Sequence, residues 1–99
     1  FAIVPPLWRF EVINALTTWQ RRGDLTSSHT GGILQDILML PIAVVDPGDP
    51  EMIVVTALAH NLSAYDATYL RLAILTGSPI ATLDKALIKA ASAIGVIVA

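Results

Sequence analysis

The residues Pro79-Ile80-Ala81-Thr82-Leu83-Asp84-Lys85-Ala86-Leu87 decide the fold class. Ile80-Ala81-Thr82 is short and uncharged and follows Gly77 and Pro79, which is the pattern of a buried strand. Lys85 opens a helical pattern that reaches Ile94, and Asp84 stands where an N-cap belongs. The same alternation recurs on either side. Ile42-Ala43-Val44-Val45 is a strand candidate followed by the turn Asp46-Pro47-Gly48-Asp49-Pro50 and a helix over residues 50–61. Val96-Ile97-Val98 is a third strand candidate. Very short, all-apolar strands between helices predict an α/β domain whose parallel sheet is covered on both faces.

Composition bounds what such a domain can do. The 99 residues are 55% hydrophobic and 14% charged, an apolar balance that leaves surface for a partner or a second copy of the chain. The net charge is −2 without a basic block, so binding of nucleic acid through a broad basic face is not expected. The apolar run over residues 37–45 contains Pro41 and is far shorter than the roughly 18 residues of a spanning helix. The chain has no cysteine, which excludes disulfides and thiolate metal sites and fits a reducing, cytoplasmic setting.

Two more helices precede these units. Trp8, Val12, Ala15, Leu16 and Trp19 fall on one stripe of a helix over residues 7–22, closed by Gly23, and this stripe predicts core or interface anchors. A second helix starts at Leu25-Thr26-Ser27, is weakened at Gly31-Gly32, and ends before Pro41. A fourth helix, residues 64–76, is capped by Ser63 and closed by Gly77.

Three acids stand in these apolar surroundings. Ser63-x-x-Asp66 fits a capping box, in which the Asp66 carboxylate would return to the Ser63 N–H, and the helix dipole favours an acid there. Asp84 fits an N-cap equally well, but the carboxyl end of a strand in a parallel sheet is also where ligands sit. Glu11 lies mid-helix, with no Lys or Arg three or four residues away; buried, it would need a cation or a proton. Together the three suit a hard divalent cation such as Mg²⁺ or Mn²⁺. Zinc is disfavoured, since His29 and His60 lie apart and read as helix-terminal surface residues. No nucleophile elbow or phosphate-binding glycine loop is present.

The order and settings of these acids resemble the PIN-domain ribonucleases, above all the VapC-type toxins of toxin–antitoxin pairs. Pro6-Leu7-Trp8-Arg9-Phe10-Glu11-Val12-Ile13-Asn14-Ala15-Leu16 is similar to that family's P-x-x-x-x-E-v-x-N-a-L helix. Leu62-Ser63-Ala64-Tyr65-Asp66-Ala67-Thr68-Tyr69-Leu70 is similar to its L-S-x-Y-D-A-x-Y-L helix start, and Thr82-Leu83-Asp84 to its T-x-D. The likeness runs through nearly the whole chain, residues 1–99 read as a single PIN-like domain. It implies a metal-dependent endoribonuclease and toxin that cleaves RNA phosphodiesters at a cluster of four acids holding Mg²⁺ or Mn²⁺. Glu11, Asp66 and Asp84 match three of these acids, Asn14 a supporting residue and Thr82 a site-lining hydroxyl. An antitoxin protein and a homodimer are the implied partners. The family's first acid lies on a first strand upstream of the Glu11 helix, and nothing before Glu11 here is acidic. The expectation is a PIN-like sheet lacking that strand and its acid, in a chain that is N-terminally incomplete. As it stands, such a chain is expected to bind metal poorly and to be inactive. The alternative is a non-catalytic PIN-like module that binds a protein partner.

Overall fold

Strand formation begins earlier in the chain than the sequence patterns indicated. The structure, a computed structural model, describes residues 2–82 and 85–98. Strand β1 (Ala2–Val4) precedes α1 (Leu7–Arg21), where no strand was expected. Its β-branched Ile3 and Val4 run straight into Pro5-Pro6, which cannot continue a ladder and starts the helix instead. β1 pairs in parallel with β2 (Ile42–Val44) in the register Ala2 to Ile42, Ile3 to Ala43 and Val4 to Val44. Between them runs α2 (Ser27–Leu38), continuous through Gly31 and Gly32, with the His29 N–H donating to the Thr26 side chain at its start.

Downstream come α3 (Pro50–His60), α4 (Ala64–Thr76) and α5 (Lys85–Ala93). Of the expected caps, those of α3 and α4 are in place, and Asp84 before α5 lies outside the described residues. Asp49 accepts from the Glu51 N–H, and Gly77 closes α4 at φ +64°, a conformation that favours glycine. Of the strands expected at residues 80–82 and 96–98, the pairing seen among the described residues is one parallel bridge, Ile80 to Val98, reinforced by the Ile80 N–H donating to the Ile97 carbonyl at 2.8 Å.

The core gathers around α4. Leu70, Ala73, Ile80, Leu87, Ala90 and Ala91 are buried together, and Leu62, Tyr69, Val96 and Val98 pack against them. α4 packs against α3 on one side and α5 on the other, while α1 packs on α2. On α1, Leu16 is buried, but Trp19 remains 45% exposed. The stripe therefore delivers one firm anchor rather than two tryptophan anchors. Among the described residues, no helix is long and apolar enough to cross a membrane.

The two parallel pairings, β1 with β2 and Ile80 with Val98, do not join. A groove of about 450 Å³ separates them, walled by Ile3 and Val4 on one side, Ile80 and Ala81 on the other, with Tyr69 and Leu72 from α4. Among the described residues, neither β1 nor Ile80 pairs with a strand on its second edge.

Candidate functional site

One of the three acids, Glu11, meets Tyr69 directly, and a second, Asp66, lies one turn from that tyrosine on the same helix. Glu11 projects from the middle of α1, and the Tyr69 hydroxyl of α4 donates to its Oε1. Asp66 lies in the first turn of α4, one turn before Tyr69, so the two share a helix face as i, i+3 neighbours. The phenol feels both acids. Burial first, then the hydrogen bond to Glu11, then the negative charges of Glu11 and Asp66 hold its pKa well above the ordinary value of 10.0.

That shift has a definite consequence for stability. A group whose pKa is raised on folding stabilises the native state fully below its unfolded value and loses that contribution as pH rises through the folded value. Unfolding free energy is therefore expected to fall as pH rises above about 10, where the unfolded phenol ionises first. Urea melts of the wild type and Tyr69→Phe at pH 9 and pH 11 check this, because the variant must lack that component of the decline.

The environment of Glu11 differs from the burial that sequence reasoning considered. Its side chain is exposed, and its partner is a phenol on another helix rather than a lysine or arginine. Asp66 is half-buried. Its N–H donates to Ser63 Oγ at 3.1 Å, which is one half of the capping box. Among the described residues, the reciprocal bond from the Ser63 N–H to the Asp66 carboxylate is not made. The backbone of Asp66 thus caps the helix while its carboxylate stays open to a ligand.

The other candidates are placed as follows. Asn14 is exposed one turn beyond Glu11 on α1, and Thr82 is half-buried just past the bridge at Ile80. Asp84 lies outside the described residues. His29 falls in the first turn of α2 and His60 in the last turn of α3, as helix-terminal residues.

Tyr69 is the residue of this region to which sequence reasoning gave no role. Its signal was present in Asp66-x-x-Tyr69, which puts a phenol on the same helix face as a carboxylate. That it reaches Glu11, far away in sequence, is a tertiary fact.

The donor set suits a hard cation. Glu11 keeps Oε2 beyond its bond to Tyr69, the Asp66 carboxylate has no described hydrogen bond, and no sulfur or imidazole donor stands with them. Among the described residues, no cluster of three or more His, Cys, Asp or Glu is assembled.

The chain is similar in fold to a solved structure, the crystal structure of PAE2754 from Pyrobaculum aerophilum. The match covers 97% of this chain and 69% of that one, with a TM-score of 0.73 and 23% identity. At this identity the likeness concerns the fold alone, and it agrees with the α/β arrangement of helices and parallel strands. No protein-family model and no curated protein matches the chain.

Proposed function

We propose that this chain belongs to a PIN-like, Mg²⁺- or Mn²⁺-dependent endoribonuclease of the VapC toxin type. The observation that carries the reading is the contact of Glu11 with Tyr69, one turn from Asp66 on a helix distant in sequence, with the Asp66 carboxylate left out of the helix cap. Asp84, immediately before α5, is the third acid of the proposal, with Asn14 and Thr82 in support. The likeness to that family implies a fourth acid on a further strand, and the groove between β1 and Ile80 has room for one: among the described residues neither flanking edge is paired on that side, and Tyr69 forms part of the wall.

A bound divalent cation would supply charge neutralisation at the phosphodiester and a water of lowered pKa. The chain's part is to hold carboxylates in place and keep the site open to an RNA strand.

A second reading, a non-catalytic PIN-like module, is favoured by one observation. The α3 helix exposes Val54, Val55 and Leu58, the last 80% exposed, which is costly without a partner. In the nuclease reading the same surface serves an antitoxin or a homodimer.

One titration separates the two. The full-length protein is melted with increasing Mg²⁺ or Mn²⁺, and its action on RNA is followed with the metal and with a chelator. The nuclease reading expects a melting temperature that rises with metal concentration, together with cleavage that the chelator stops. A flat melting temperature and intact RNA would leave the interaction module.

A further inference from the structure

We propose that α2 opens as a separate unit, melting away from α1 while the core around α4 stays folded, so that this helix is a conformational element with a low stability of its own. The proposal is independent of the nuclease reading. The intrinsic terms of α2 are unfavourable. It is 12 residues long, a length at which a helix in water is marginal and depends on tertiary packing. Gly31 and Gly32 stand in its interior, each disfavouring the helix about 4- to 5-fold relative to alanine. No acid stands in its first turn and no base in its last, while Asp36 adds a negative charge near the C-terminus, against the helix dipole. It contains no Lys or Arg, so no ion pair between successive turns supports it. Packing does not offset these terms. Thr30, Ile33, Leu34 and Ile37 recur at i, i+3, i+4 and i+7 as its half-buried face, but no residue of α2 is buried. The helix packs on α1, and the Gln20 Nε2 donates to Ser27 Oγ at 2.9 Å at its first turn. The two glycines serve neither close approach nor a turn. A Cβ at either would meet nothing within 4 Å, and neither adopts a positive φ. In contrast, α4 buries Ala67, Leu70, Leu72 and Ala73. Opening of α2 exposes Ile33, Leu34 and Ile37 and the α1 surface beneath them, and it leaves the Glu11 contact with Tyr69, between α1 and α4, intact.

Native-state hydrogen exchange of the full-length protein, followed residue by residue, tests this. The amides in the second half of α2 should be protected at least about 100-fold less than those of Leu70, Leu72 and Ala73. Urea added below the unfolding transition should lower the protection of α4 steeply and that of α2 little, because a local opening exposes little surface. Leu70→Ala should lower protection in α4 and leave it unchanged in α2, since the core is not broken when α2 opens. Gly31→Ala combined with Gly32→Ala should raise the protection of α2 about 20-fold. Equal protection and equal urea dependence in the two helices overturn the proposal, because α2 would then open only with the whole molecule. A parallel fall of both in Leu70→Ala overturns it as well, and so does a double alanine variant whose α2 exchanges as fast as wild type. If Leu70→Ala does not fold, the urea series on the wild-type protein decides.

Discussion

On the proposed nuclease reading, Asp66→Asn is expected to lower metal-dependent RNA cleavage by the full-length protein at least about a hundredfold while leaving the protein folded. The magnitude follows from charge: a carboxylate holding a catalytic cation supports several kcal/mol of transition-state stabilisation, and each 1.36 kcal/mol is about tenfold in rate. The substitution keeps the side-chain shape and removes only the charge. The fold should tolerate it because the capping contribution of this residue is its N–H, which donates to Ser63 Oγ and is unchanged in asparagine. What is lost structurally is the favourable charge at the helix N-terminus, about 0.3–1 kcal/mol. Single-turnover cleavage of RNA at saturating Mn²⁺, together with a urea melt, separates the two effects. Full activity in a folded Asp66→Asn protein would remove Asp66 from the site.

Leu70→Ala carries the largest expected cost in stability, roughly 2–5 kcal/mol. Leu70 is 0% exposed and sits where α4 meets Ala73, Ile80, Leu87, Ala90 and Ala91. Its small alanine neighbours leave few side chains able to collapse into the space, so the upper half of that range is expected. For a domain of this length the change corresponds to a fall in melting temperature of about 10–30 °C. Leu70 also adjoins Tyr69 on α4, so the variant should lose metal affinity only to the extent that α4 loosens. A calorimetric melt with and without Mn²⁺ measures both. A fall of less than about 1 kcal/mol would show that α4 is not the centre of the core.

The helices were legible because their signals are local. Ser63, Asp49 and Gly77 cap and close helices through contacts within one turn, and each stands in the structure where its residue type puts it. Strands were less legible. Ala2–Val4 is too short to show a period, and its partner Ile42–Val44 lies beyond two helices. Ile80-Ala81-Thr82 and Val96-Ile97-Val98 looked like strands by composition, and among the described residues they meet in the bridge between Ile80 and Val98. Pairing needs a neighbour on the open edge, which hydrophobicity alone does not supply.

The opening residues, Ile80 through Leu87, announced a strand followed by a helix, and the structure keeps the α/β alternation, with the bridge at Ile80 as that strand's pairing among the described residues. The sequence by itself determined the order of helices, their caps and the apolar segments that build the core, because each depends on residues within a turn or two of one another. The acids' candidacy was also written there, as residue types in context. Only the tertiary structure decided that Glu11 reaches Tyr69, one turn from Asp66, and that a groove separates two parallel pairs. Both facts join side chains or strand edges far apart in the chain. Their placement follows from how α1 and β1 come to lie against α4, which no local pattern encodes.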